Sequence, residues 1–258
     1  MKTRLYTEER RNSILSLLNE NKHIEVNDLC TRFSVSGATI RSDLKVLEQR
    51  GYLLRTHGGA IRNDYEKLIE DTPSDRKITN EKIIIAEETV KHIQNNESLV
   101  IDTGTSCYAF AQALLKSNLQ DLSILTADLK IALLLSENSN FTVQILGGQI
   151  RNHYSYVSGS SLVEKIRNFS VDTAIIATNA FDINFGFSTP NYETAELKRN
   201  TFYIAKKAIV LCDSSKMNKR CFCSFGTIDD CQLLITDKHI KKNDLEQLKK
   251  SGTSIIVV

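Results

Sequence analysis

Residues 36–45, S-G-A-T-I-R-S-D-L-K, set small and hydrogen-bonding side chains beside two long cations. At about 100° per residue, Ile40, Leu44 and Leu47 share one helix face. Ala38, Ser42 and Gln49 fall on the other, flanked by Arg41 and Lys45. Such a surface has the chemistry of close approach to a polyanion. A major groove is about 12 Å wide, so short side chains let a helix enter it, and Arg, Lys, Ser and Thr reach phosphates and base edges. Ser36, Ala38, Thr39, Arg41, Ser42 and Lys45 are therefore candidate contacts to duplex DNA. An ordinary solvated amphipathic helix has the same pattern, and this helix alone leaves the two readings even.

A second constellation lies in V-I-D-T-G-T-S-C-Y, residues 100–108, where an apolar run gives way to a helical pattern. Asp102, Thr103, Gly104, Thr105 and Ser106 would place free backbone N–H groups, hydroxyls and a helix N-terminus together, the parts of a phosphate cradle. A well-capped turn would use the same residues, and the glycine spacing matches neither a P-loop nor a dinucleotide fingerprint. Other strand ends supply Thr126, Gly147–Gly148, Asn179 and C-D-S-S-K, in which Asp213 orients the turn and Lys216 offers a cation.

The chain that must position these groups has 258 residues, enough for two domains, with 41% hydrophobic and 25% charged residues. Those proportions argue against disorder. No apolar run approaches the roughly 18 residues of a membrane helix. The N-terminal stretch is charged throughout and lacks a signal-peptide core, so a cytoplasmic protein with no membrane partner is expected. Six cysteines (30, 107, 212, 221, 223, 231) show no zinc-like spacing, so reduced thiols and no metal are expected. The net charge of +2 conceals an asymmetry: residues 1–62 hold 11 Lys/Arg and 7 Asp/Glu. A basic head on a slightly acidic remainder points weakly to a polyanion partner for the head.

In that head, Thr7 can cap a helix with core residues Ile14, Leu17 and Leu18, and Asn27 or Asp28 a short second helix. After the S-V-S turn, Ser36 can cap the third, which Gly51 would end. Y-L-L-R-T-H-G-G-A-I-R, residues 52–62, then alternates into a Gly-Gly turn as a β-hairpin would, carrying Arg55, His57 and Arg62. A hairpin behind a recognition helix is a wing whose cations touch phosphates, and it tips the balance towards DNA.

Residues 63–80 are polar, contain Pro73 and read as a connection. From residue 81, short β-branched runs (S-L-V-I-D, L-S-I-L-T-A, T-V-Q-I-L-G-G, D-T-A-I-I-A-T, A-I-V-L-C-D, Q-L-L-I-T-D, S-I-I-V-V) mostly alternate with helical segments. That pattern predicts a doubly wound, mainly parallel α/β domain over 81–258. Ligands in such folds bind at the carboxyl ends of strands.

From Glu9 to Ala60 the chain resembles the winged helix-turn-helix of the DeoR family of bacterial sugar-operon repressors, through T-I-R-x-D-L and R-x-H-G-G-A. Ser42 stands where the family commonly has a second Arg. The resemblance continues through D-x-G-T-S (102–106), L-G-G (146–148), N-Y-E-T-A-E-L-K-R (191–199) and D-x-S-K (213–216). Thr126-Ala127-Asp128 departs from the family's usual Thr-Asn-Ser. The resemblance implies an effector domain similar in fold to ribose-5-phosphate isomerase, binding a phosphorylated sugar. At matching positions it implies Lys82, Asp102, Gly104, Thr105, Ser106, Asp213 and Lys216 around that effector, with Glu193 near its hydroxyls. The resulting expectation is a repressor of a carbohydrate operon. It would bind operator DNA as a homodimer or homotetramer, be released by a phosphorylated sugar, and need no cofactor. Two alternatives stay open. One is an isomerase-like enzyme using Glu193 or Glu196 as base and Lys216 as electrophile; the other is a transcriptional activator.

Overall fold

The computed structural model describes residues 7–21, 23–49, 53–56, 58–62, 77–151 and 154–258. The chain divides into two compact units, Met1–Ile69 and Glu70–Val258. Gly51, His57 and residues 63–76 of the expected connection lie outside the described residues.

The first unit runs α1 (Thr7–Asn21), β1 (His23–Glu25), α2 (Val26–Phe33), α3 (Gly37–Gln49), β2 (Leu53–Arg55) and β3 (Gly59–Arg62). Ile14 and Leu18 of α1, Leu29 of α2, Ile40, Leu44 and Leu47 of α3 and Leu53 of β2 form one buried core. The expected hairpin is present, with Leu53 opposite Arg62 and Arg55 opposite Ala60. A third strand was not anticipated: β1 pairs with β3, His23 opposite Ile61. Three residues are too few to show a period of two. Gly59 is required here, because a Cβ on it would lie 1.9 Å from the Ile24 carbonyl oxygen.

Strand β1 also moves the start of the second helix. Asn27 or Asp28 was the expected cap, yet α2 begins at Val26 directly after Glu25. The Val26 N–H donates to the Gly58 carbonyl at 2.9 Å, so the wing satisfies a helix donor that a side chain would otherwise cap. At α3 the expected cap holds: Ser36 Oγ accepts from the Thr39 N–H at 3.2 Å and lies 2.9 Å from the Thr39 hydroxyl.

The second unit comprises α4 (Asn80–Val90), β4 (Ser98–Ile101), α5 (Thr105–Leu115), β5 (Leu122–Thr126), α6 (Leu129–Leu135), β6 (Phe141–Ile145), β7 (Gln149–Ile150) and β8 (Val157–Ser158). It continues with α7 (Ser160–Ile166), β9 (Val171–Ala177), β10 (Ala180–Asp182), β11 (Gly186–Thr189), α8 (Tyr192–Ile204) and β12 (Ala205–Leu211). Last come β13 (Cys223–Gly226), β14 (Leu233–Thr236), α9 (Lys242–Lys249) and β15 (Ser254–Val257). Helix α4 starts at Asn80, one residue inside the expected connection.

All seven predicted strands join one sheet in the order β15-β14-β12-β9-β4-β5-β6, and every neighbouring pair is parallel. Two antiparallel additions carried no sequence signal: the β7–β8 hairpin and a sheet of β10, β11 and β13. Alternation along the strands makes two cores. Leu99, Ile101, Ile175 and Ile209 pack with Ile85 of α4, Phe110 of α5 and Ile131 of α6. Val100, Ala174, Ile176 and Val210 pack with Ile166 of α7, Ala195 of α8 and Leu248 of α9. With both faces apolar, the strands read as continuous hydrophobic runs. The chain leaves β4 towards β5 and β6, then returns to lay β9 on the other side of β4. The strand order therefore reverses between β4 and β9. A crevice opens at the carboxyl ends of a doubly wound sheet at that point.

Opposite that end, Asp172 ties β9 to β4: its carboxylate accepts from the Ser98 N–H at 2.9 Å, the Ser98 hydroxyl at 2.6 Å and Lys206 Nζ at 2.8 Å. These donors, Lys206 foremost, hold the carboxyl well below its usual range. A depressed folded-state pKa contributes stability above the unfolded value near 3.9 and loses it as pH falls through the folded value. The acid limb of a melting-temperature profile is therefore expected to be shallower below about pH 4 in Asp172→Asn. An unchanged limb would contradict the tie.

Candidate functional site

On the first unit, α3 turns Ile40, Asp43, Leu44 and Leu47 inward and leaves Ala38, Arg41, Ser42 and Lys45 exposed. Thr39 and Ser36, although at the leading turn, engage each other in the cap. Arg55 is exposed on β2, 3.7 Å from Glu48, and its N–H donates to Glu48 at 2.9 Å, which fixes the strand against the end of α3. Not all of the head's positive charge faces outward. Arg10 and Arg11 of α1 pair with the buried Asp43 at 2.7 and 2.9 Å. Arg41 and Lys45 are thus the exposed cations of α3, beside a surface of Ala and Ser.

On the second unit, the crevice at the switch point is walled by Thr103, Gly104, Thr105 and Ser106 after β4, by Ala177, Thr178 and Asn179 after β9, and by Tyr156, Thr194 and four lysines: 77, 82, 198 and 216. Gly104 has φ +111°, a conformation that favours glycine, and nothing lies within 4 Å of where its Cβ would be. Open space therefore sits directly over the first turn of α5, whose leading N–H groups carry the positive end of the helix dipole. Lys82 Nζ donates to the Thr105 hydroxyl at 3.0 Å and to the Lys77 carbonyl at 2.9 Å. Cations, hydroxyls and backbone donors converge, and none of the described wall residues is a carboxylate. The arrangement suits a multiply charged anion such as a phosphoryl group.

Lys198 went unnoticed in the sequence. It is 3% exposed, donates to the Ala177 carbonyl at 2.8 Å and pairs with Asp102. Asp102 also accepts from the Ala177 N–H at 3.1 Å. Its carboxylate therefore stands behind the wall, joining the tips of β4 and β9 and holding Lys198 at the crevice. A signal was available: on α8, Thr194, Leu197, Lys198 and Thr201 are all buried, and their spacing is that of one helix face. A lysine on such a face has a specific partner or ligand.

Of the other expected effector residues, Lys82, Gly104, Thr105, Ser106 and Lys216 line the crevice together. Asp213 does not: its carboxylate accepts from the Ser215 N–H at 3.1 Å and from the Ser215 hydroxyl, shaping the 3-10 turn Ser214–Lys216. Glu193 is exposed on α8 and borders a separate small pocket with Val157 and Leu162. Glu196, the other candidate base, pairs with Arg199. Asp128 caps α6, accepting from the Lys130 and Ile131 N–H groups at 2.9 and 3.3 Å, and lies 3.4 Å from the Gly104 N–H. Burial raises its pKa against those stabilising donors. Cys107, Cys212 and Cys231 are buried, and burial pushes the Cys231 thiol up to about 12. Among the described residues no helix is long and apolar enough to cross a membrane, and no His, Cys, Asp or Glu cluster is arranged to hold a metal.

A three-helix winged unit and a doubly wound unit with a lysine-lined crevice at its switch point define a two-unit protein of the winged helix-turn-helix class. Residues 10–66 match the DeoR-like helix-turn-helix domain and residues 77–238 the DeoR C terminal sensor domain. The chain belongs to the DeoR family. It is 29% identical to the HTH-type transcriptional repressor GlcR of Bacillus subtilis, covering 98% of this chain and 97% of that one. It is 30% identical to the HTH-type transcriptional regulator GolR of Listeria innocua, covering 96% and 97%. Identity to the glycerol-3-phosphate regulon repressor of Escherichia coli K12 is 30%, covering 89% and 90%. Among solved structures, a D-ribose-5-phosphate isomerase in complex with phospho-erythronic acid is 18% identical, with a TM-score of 0.40 over 54% of this chain and 55% of that one. A likeness that faint carries nothing about fold or chemistry.

Proposed function

We propose that the chain is a cytoplasmic transcriptional repressor of a carbohydrate-utilisation operon, released from its operator by a phosphorylated sugar. The observation that carries this reading is the crevice: four lysines, Thr105 and Ser106 around the open first turn of α5. A dianionic phosphoryl group satisfies that donor set, and an uncharged sugar leaves it uncompensated. The repressor names of GlcR and the glycerol-3-phosphate regulon protein support the direction of regulation. One recognition helix reads too few base pairs for specificity, so a homodimer or homotetramer is part of the proposal. If the effector weakens operator binding, operator weakens effector binding by the same factor.

The test is a gel-shift titration of the purified chain on DNA upstream of its own operon, with sugar phosphates and their unphosphorylated counterparts. Release by phosphorylated compounds alone is the expected result; release by a free sugar would overturn the crevice as the sensing site. In the same assay, Arg41→Ala is expected to cost about 1–3 kcal/mol and to relax sequence preference if Arg41 reads a base. A uniform loss with a shallower salt dependence would place it on phosphate instead. Undiminished operator affinity would remove α3 from the interface. The isomerase alternative is not carried forward, because Glu193 is exposed outside the crevice and Glu196 is paired.

A further inference from the structure

A groove adjoins the crevice. It runs between α5 and α6, lined by Thr105 and Tyr108 on one helix and Lys130, Leu133 and Leu134 on the other, with Ile78, Asp128, Glu137 just after α6 and Tyr154–Tyr156 completing it. The spacings 105/108 and 130/133/134 are those of single helix faces. Gly104, Thr105 and Tyr156 belong to both spaces, so crevice and groove are continuous.

Their sizes differ. The crevice offers about 90 Å³ and the groove about 570 Å³. One water-sized group needs roughly 10–15 Å³ of such space, so the crevice takes on the order of six to nine: a phosphoryl group and a few further atoms. The remainder of a phosphorylated sugar has the continuous groove past Tyr156 to extend into. The groove is within the range of small-molecule sites and has their make-up, apolar and aromatic walls with a few placed polar groups. Leu133 is 71% exposed at its rim. Asp128 supplies an acceptor: Oδ1 takes two helix N–H groups, and among the described residues Oδ2 has the 3.4 Å contact from Gly104. Desolvation of that carboxylate raises its pKa, which a hydroxyl donor from a ligand would offset.

Resting on the reading of the crevice as a phosphate site, we infer that the effector is a phosphorylated glycoside with a second ring, sugar or aryl. Its phosphate lies among the lysines and its second ring lies in the groove between Tyr108 and Leu133, donating a hydroxyl to Asp128. A single-ring sugar phosphate leaves most of the groove to water.

Calorimetric titration of the full chain tests this with cellobiose 6′-phosphate, maltose 6′-phosphate and salicin 6-phosphate against glucose 6-phosphate, inorganic phosphate and unphosphorylated salicin. At least one two-ring phosphate is expected to bind about tenfold or more tightly than glucose 6-phosphate. Tyr108→Leu and Leu133→Asp are expected to remove that advantage while leaving glucose 6-phosphate affinity unchanged; Leu133 is exposed, so its variant keeps the fold. Glucose 6-phosphate binding as tightly as every two-ring compound would overturn the inference and leave the phosphate site standing. If no phosphorylated compound bound better than salicin, the phosphate site itself would fall, and this inference with it. A groove that instead seats a second copy of the chain would show as a smaller assembly for Leu133→Asp by light scattering with ligand affinities unaltered, which also overturns it.

Discussion

Asp43→Ala is expected to lose most of the winged unit's fold while the second unit stays intact. Asp43 is 2% exposed and accepts from Arg10 at 2.7 Å and Arg11 at 2.9 Å, joining α3 to α1. Removing the buried carboxylate that joins the two helices costs about 3–5 kcal/mol. A unit of some sixty residues buries a small core and is marginal to begin with. Hydrogen exchange read by mass spectrometry should show peptides of 7–62 losing protection, with those of 77–258 unchanged and operator binding gone. Arg41→Ala is the control: it should retain the protection and lose only DNA affinity. Retained protection in Asp43→Ala would mean that the α1–α3 pairing contributes little.

Lys198→Met is expected to act twice on the second unit. Methionine keeps much of the stem's volume, so the packing against Phe225, whose ring lies 5.3 Å from Nζ, is largely kept. The Asp102 carboxylate loses its buried partner, at a cost again of about 3–5 kcal/mol. The crevice also loses its most buried cation, so stabilisation by phosphorylated sugar, about 2.7 kcal/mol at a hundred times Kd, should largely disappear. Thermal unfolding with and without ligand separates the two. Adding Asp102→Asn removes the orphaned charge and should recover much of the stability but none of the ligand response. A double variant that regained the response would show that Lys198 serves only to neutralise Asp102.

How much of this was legible beforehand follows from range. Periods of 3.6 and 2 are local, so α3, the hairpin and all seven parallel strands could be read from spacing, and D-T-G-T-S marked a strand tip that lines the crevice because a strand and a helix meet there in sequence. Elements of two or three residues, such as β1 and the β7–β8 hairpin, show too few alternations to be seen. Charges were read worst. Arg10 and Arg11 counted towards a basic head although Asp43 engages them, and Asp102 and Asp213, expected around the ligand, each position a neighbour behind the crevice wall.

The amino-acid order by itself thus determined the two units, their classes and the strand ends that border the crevice, because burial patterns repeat over a few residues. Only the tertiary structure decided which charged groups face a ligand and which face each other. Lys198 and Asp102 are 96 residues apart, Arg10 and Asp43 33 apart. Whether a cation solvates, binds or is neutralised depends on what the folded sheet and helices bring within about 3 Å of it, which no local period records.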